Sequence, residues 1–154
     1  MSGAPVSALE RSGTGLEYLQ KVLSGEHGNV PIGDTVGFRM KEVSKGRIVF
    51  EGMPGANVLN LIGTVHGGYA ATILDSALAL SILSTLDADS NFTTLEIKVN
   101  YVRSITPGMT VRATGEIVHA GRRVATSEAK LTDAEGKLLA HGTTTCLILP
   151  RERP

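Results

Sequence analysis

Between Gly67 and Leu86 the chain runs for twenty residues with no basic side chain and one acidic one, Asp75. Ala70, Leu74, Ala77, Leu78 and Ser81 recur at helical spacing, while Ile73, Leu80, Ile82 and Leu83 fill the other sides. The spacing predicts a helix that is apolar nearly all round, and such a helix belongs in a core. At about 1.5 Å per residue it would measure roughly 30 Å, enough to cross a bilayer. The run is too polar for that, with Gly67, Gly68, Thr72, Ser76, Ser81, Ser84 and Thr85 in it. Strand-like stretches on either side also belong to a soluble domain.

A carboxylate two turns inside a buried helix resists ionisation, because desolvation penalises the charged form. Asp75 has no Lys or Arg three or four residues away on either side. It is therefore paired over long range, hydrogen-bonded to nearby Ser or Thr, or facing a cleft. His66-Gly67-Gly68 stands where the helix begins. The first N–H groups of a helix lack intrahelical partners and sit at the positive end of its dipole, which suits an oxygen that gains negative charge during a reaction. Two glycines there also simply permit a tight turn into the helix.

Around this centre the elements fall in order. The first fourteen residues are small and polar and are expected to form a loosely ordered tail. Leu16, Leu19 and Leu23 form one stripe of a short amphipathic helix stopped by Gly25, and residues 26–33 read as a loop. Thr35–Val43 and Arg47–Gly52 read as strands joined at Lys45-Gly46. Met53–Val65 reads as an irregular loop whose polar residue is Asn60, a residue type common in turns. Leu95, Ile97, Val99 and Tyr101 alternate with Glu96, Lys98 and Asn100, the pattern of a half-buried strand. Val111–His119, Arg123–Asp133 and Leu138–Leu149 follow, joined by turns at Pro107-Gly108, Ala120-Gly121 and Glu135-Gly136. Strands grouped around one long helix make an α+β pattern, expected here as a four-stranded antiparallel meander.

The chain has 154 residues, enough for one domain with a proper core. Its 15 basic and 15 acidic residues balance without any block of like charge, so nothing points to nucleic acid. Phosphate-binding, nucleophile-elbow and zinc-protease motifs are absent. His27, His66, His119 and His141 show no metal-ligand spacing. Cys146, the single cysteine, lies in an apolar strand and is expected to be a small buried thiol. The N-terminus lacks the features of a secretory signal, so a cytoplasmic location is expected, with no membrane association.

Asn60, Gly63, His66-Gly67-Gly68 and Asp75 within the following helix together resemble the signature of the PaaI-type acyl-CoA thioesterases of the hotdog-fold superfamily. The similarity continues through VNYVRSITPG (Val99–Gly108), AGRRVA (Ala120–Ala125) and DAEGKLLAHGTTT (Asp133–Thr145), and spans Thr35 to Leu149. It implies a single hotdog domain over residues 1–154, an antiparallel sheet wrapped around one central helix. It also implies hydrolysis of an acyl-CoA, aromatic or short to medium aliphatic, with coenzyme A as part of the substrate and no separate cofactor or metal. In the family the site is built across a dimer interface. Self-association as a homodimer or a homotetramer, a dimer of dimers, is therefore expected.

The resemblance assigns roles. The Gly67 N–H polarises the carbonyl, His66 shapes the turn, and Asp75 of the partner acts as general base or nucleophile. Asn60 positions water or thioester. A hydroxyl that supports the site cannot come from Ala79, one turn beyond Asp75, so Thr93 or Thr94 is the candidate. Arg103, Arg122 and Arg123 are candidates for the coenzyme A phosphates, with Arg151 and Arg153 as further cations. Leu61, Ile62, Leu78 and Ile82 are expected to set the depth of the acyl pocket. Two alternatives remain at this level: a hotdog hydratase or dehydratase using His66 with a carboxylate, and a non-catalytic acyl-CoA-binding protein.

Overall fold

The structure, a computed structural model, describes residues 11–152. Its element order is α1 (Gly15–Ser24), α2 (Pro31–Val36), β1 (Phe38–Ser44), β2 (Arg47–Gly52), a 3-10 turn (Ala56–Val58), α3 (Gly67–Leu83), β3 (Ser90–Tyr101), β4 (Val111–Ala120), β5 (Val124–Asp133) and β6 (Leu138–Pro150). The six strands form one antiparallel sheet in the order β1-β2-β4-β5-β6-β3, and α3 packs against it. This is the expected α+β arrangement.

The sheet differs from a simple meander. β3 pairs with β6 rather than with β4, so residues 102–110 carry the chain back across two strands. That leaves β3 as a free edge, and it explains why its apolar residues are not buried. Val99 is half-buried, whereas Leu95, Ile97 and Tyr101 are 58%, 38% and 59% exposed. Leu95 is the extra residue of a bulge between Thr94 and Glu96. The tail expectation for residues 1–14 lies mostly outside the described residues.

α3 supplies the core. Tyr69, Ile73, Leu74, Leu78 and Ile82 are buried against the sheet, each contributing on the order of 1.5–3 kcal/mol of burial. Helix and sheet are also pinned by the Ser127 hydroxyl, which donates to the Leu78 carbonyl at 2.8 Å. Apolar on every side in sequence, α3 nonetheless leaves a stripe through Gly68, Ala71, Thr72, Asp75 and Ala79 partly or fully open. It ends at Leu83, capped at Ser84, three residues before the sequence pattern stops.

Smaller differences have local causes. Pro31 starts the helix α2 where a loop and the beginning of a strand were expected, because its fixed φ suits the first helical turn. On α1 the buried side chain is that of Leu19, with Tyr18 and Val22 beside it, while Leu23 is exposed. Thr14 caps that helix in a reciprocal capping box with Glu17, and Gly25 closes it in a left-handed conformation.

Candidate active site

The start of α3 is built by contacts that explain both glycines. His66 is the N-cap, and its Nδ1 accepts the Gly68 N–H at 2.8 Å. Accepting at Nδ1 requires the neutral ring with its proton on Nε2. A Cβ at residue 68 would lie 2.9 Å from that Nδ1, so only glycine lets the imidazole reach the cap. The Tyr101 hydroxyl donates to the Gly67 carbonyl at 2.9 Å. A Cβ at residue 67 would sit 3.1 Å from the Tyr101 ring. The peptide between Gly67 and Gly68 is thus held at its oxygen by Tyr101 and at its N–H by His66.

The preceding N–H, that of Gly67, has no hydrogen-bond partner among the described residues. It stands at the positive end of α3. Beside it lies a cavity of about 410 Å³ lined by Asn60, His66, Gly67, Tyr101 and Arg103. An unpartnered N–H directed from a rigid helix start can stabilise a developing oxyanion.

Asn60 organises the loop that forms one wall. Its Oδ1 accepts from the N–H groups of Ile62 and Thr64 at 3.0 and 3.2 Å, and its Nδ2 donates to the Thr64 hydroxyl at 2.7 Å. Both acceptor positions of Oδ1 are therefore occupied, and one Nδ2 hydrogen is left for a ligand. Leu61 and Ile62 at the loop tip are fully or largely exposed, whereas Leu78 and Ile82 have no exposure at all. The last two are core residues of the single chain.

Asp75 is eight residues beyond Gly67 on the same helix, about 12 Å along its axis. It makes no hydrogen bond or ion pair with the described residues and lies on the open stripe of α3. Its carboxyl is exposed, yet the surrounding helix and sheet atoms remove enough water to raise its pKa above the ordinary carboxylate value. Cys146 is buried beside it. Burial raises the thiol pKa, the Thr94 and Thr144 hydroxyls pull it back, and the charge of Asp75 adds a smaller upward push. Thr94 Oγ1 is 3.7 Å from the Cys146 sulfur.

The two threonine candidates separate. Thr94 pairs with Cys146 on the helix side of the sheet, whereas Thr93 pairs with Leu147 and so faces the opposite side. The arginines separate too. Arg103 follows the end of β3 and donates to the Leu138 carbonyl at 2.7 Å. Arg122 and Arg123 lie in the β4–β5 turn, next to Ile148 and hence to the beginning of β3. Within one chain these two groups stand at opposite ends of a strand roughly 35 Å long. Arg151 donates to the Ala88 carbonyl, and Arg153 lies outside the described residues.

Tyr101 was not singled out from sequence, where its alternation marks it only as a face residue. Nothing local signals a contact with residue 67, 34 positions away. Among the described residues no group of three or more His, Cys, Asp or Glu could hold a metal ion, and no helix is long and apolar enough to cross a membrane.

A family model described as the thioesterase superfamily matches residues 62–140, just over half of the chain. The 1,4-dihydroxy-2-naphthoyl-CoA hydrolase of Listeria monocytogenes is 30% identical over 106 residues, which cover 69% of this chain and 85% of that protein. A mutant of the phenylacetic acid degradation protein PaaI from Thermus thermophilus superposes with a TM-score of 0.71 at 30% identity, covering 77% of this chain and 98% of the other. The protein smu.793 from Streptococcus mutans, solved bound to acetyl CoA, superposes with a TM-score of 0.70 at 27% identity, covering 76% and 92%.

Proposed function

The chain belongs to the thioesterase superfamily and is a PaaI-type hotdog thioester hydrolase; on that premise we propose that it hydrolyses an acyl-CoA to the free acid and coenzyme A, acting as one domain in the cytoplasm. The observation that carries the reading is the unpartnered Gly67 N–H beside a cavity of about 410 Å³. The thioester oxygen takes that N–H as its charge grows. Asp75 removes a proton from water as the water oxygen bonds to the carbonyl carbon; collapse then breaks the C–S bond and the proton passes to the departing thiolate. Alternatively the carboxylate attacks the carbonyl itself and the C–S bond breaks, expelling the thiolate, which takes a proton from the water that then cleaves the mixed anhydride to the acid and free Asp75. The raised pKa of Asp75 suits either role.

Gly67 and Asp75 of one chain are about 12 Å apart along α3, too far for one reaction centre, so the reading requires two chains. The free, apolar edge of β3 supports that requirement, because an unpaired edge strand is a template for a second one. Tyr101 touches Gly67, and Thr94 lies by Cys146 next to Asp75. The midpoint of those two β3 positions is Ile97-Lys98. A two-fold axis there would bring Gly67 of one protomer to the Asp75 of its partner. The same axis would carry Arg103 of one protomer towards Arg122 and Arg123 of the other, gathering the proposed contacts to the coenzyme A phosphates. Thr94 is the better candidate for the supporting hydroxyl. Asn60 would offer its remaining Nδ2 hydrogen to water or thioester.

The hydratase alternative needs His66 and Asp75 to act on one carbon. The two-fold axis above would bring these two together as well, but the Nδ1 of His66 is already engaged by the Gly68 N–H, which leaves only Nε2 for that chemistry. The aromatic acyl group named for the Listeria relative makes aromatic acyl-CoAs the first substrates to try.

The test is release of coenzyme A thiol from aromatic and aliphatic acyl-CoAs by wild type and Asp75→Asn. Loss of about two to four orders of magnitude in kcat, the scale of a lost general base, is expected. Binding without turnover by wild type on every thioester would sink the enzyme reading. A single turnover in isotopically labelled water then tests the covalent route, since a first acid free of solvent oxygen arises only from an anhydride that water cleaves at the Asp75 carboxyl carbon.

A further inference from the structure

Three polar side chains stand in line on the helix side of the sheet. Thr144 and Cys146 lie two residues apart on β6, and Thr94 is the β3 partner of Cys146. Thr144 and Cys146 are 1% and 0% exposed, whereas Thr94 is exposed. A bulge follows Thr94, with Leu95 as its extra residue, and bulges re-aim side chains beside sites. The line therefore runs from the core to the open side of the molecule.

The contacts along it have a direction. The Thr144 hydroxyl donates its single proton to the main-chain carbonyl of Glu96 at 2.7 Å. Towards any other group it can only accept. The Cys146 sulfur is 3.7 Å from Thr94 Oγ1, a contact in which either atom could donate, and the Thr144 hydroxyl acts on the same sulfur. Burial favours the protonated thiol, which has one hydrogen to give and lone pairs that accept. With that hydrogen on Thr144 Oγ1, the sulfur is left to accept from Thr94. Asp75 is on this side of the sheet, and its charge reaches the sulfur too.

We propose that Thr144 and Cys146 are positioning residues: they commit the Thr94 proton inward, so that Thr94 Oγ1 accepts one hydrogen of the water whose other hydrogen goes to Asp75. The inference rests on the hydrolytic reading above for that water. A water held at both hydrogens presents an oxygen lone pair to the carbonyl carbon, and such orientation lowers a barrier. In the opposite order, with S–H donating to Thr94, the threonine proton would be free and would compete with water for the Asp75 oxygens.

Cys146 is the single cysteine of the chain, so its S–H stretch is one infrared band whose frequency reports the acceptor. Thr144→Val is expected to shift that band, and Thr94→Val to shift it far less. An equal or larger shift in Thr94→Val overturns the inference, whether or not the protein is a hydrolase. In steady-state kinetics, Thr144→Val and Cys146→Ala are each expected to lower kcat about three- to tenfold with KM unchanged, the scale of one neutral hydrogen bond. Neither is expected to lower it further in a Thr94→Ala background, because both act through Thr94. Losses that persist in that background belong to packing and overturn the inference. If wild type cleaves no thioester, the hydrolytic reading and the water's role fail together, and the infrared comparison still decides the order of the hydrogen bonds.

Discussion

The hydroxyl of Tyr101, on the last residue of β3, donates to the carbonyl of Gly67, on the first residue of α3, at 2.9 Å. The contact ties the edge of the sheet to the start of the central helix. It fixes from outside a peptide that His66 fixes from within.

Tyr101→Phe keeps the ring against Gly67 and removes only the hydrogen bond. One neutral hydrogen bond is worth about 0.5–1.5 kcal/mol, so kcat is expected to fall about three- to tenfold with KM little changed. Steady-state kinetics decide: a change in KM alone would make Tyr101 a binding contact rather than a positioning one.

His66→Ala removes an N-cap, which costs about 0.5–2 kcal/mol, and should lower the thermal midpoint. His66→Asn should recover most of that loss, since Asn is among the strongest N-caps. Gly68→Ala should also destabilise, because its Cβ would lie 2.9 Å from the capping nitrogen. Calorimetry on the three variants checks the cap; equal midpoints for His66→Ala and wild type would remove it from the account.

Asp75 has a higher pKa folded than unfolded because its carboxyl is desolvated. Between its ordinary value of 3.8 and the folded value, the native state binds more protons than the unfolded state. Stability contributed by this group therefore falls as pH rises through that window, and the cost is complete above it. Asn cannot ionise. Asp75→Asn is thus expected to be more heat-stable than wild type at neutral pH, with the difference closing as pH drops below 3.8. Melting curves across pH test the sign, and a variant less stable than wild type at neutral pH would contradict it.

Complementation tests the two-chain site. Asp75→Asn and Gly67→Val should each be inactive as pure assemblies. Mixed at equal amounts and allowed to exchange, half of the dimers carry one intact site of two, so about a quarter of wild-type activity should return. No recovery, with mixed dimers demonstrated, would place Gly67 and Asp75 in one chain or outside the site. Leu95→Lys, on the exposed edge of β3, should weaken association and activity together while leaving the fold intact.

Much of this was legible along the chain because it depends on neighbours in sequence. The apolar run over residues 67–86 announced a central helix, and the alternating stretches announced strands whose limits for β2, β4, β5 and β6 lie within about two residues of those found. Gly25 marked the end of α1 because a left-handed cap is a local requirement. Periodicity says which side of a strand a residue occupies, but not whether anything covers that side. Leu95, Ile97 and Tyr101 look buried by alternation and are exposed because topology sends β3 to the edge.

The sequence by itself therefore determined the elements other than α2, the fold class and the start of the central helix at His66-Gly67-Gly68, all set by backbone sterics and local periodicity. Only the tertiary structure decided that Tyr101 reaches Gly67, that Thr94 rather than Thr93 shares the helix side with Asp75, and that Arg103 and Arg122 stand at opposite ends of the sheet. These are distances between residues far apart in the chain. They follow from the strand order and from where α3 crosses the sheet, and no local pattern encodes either.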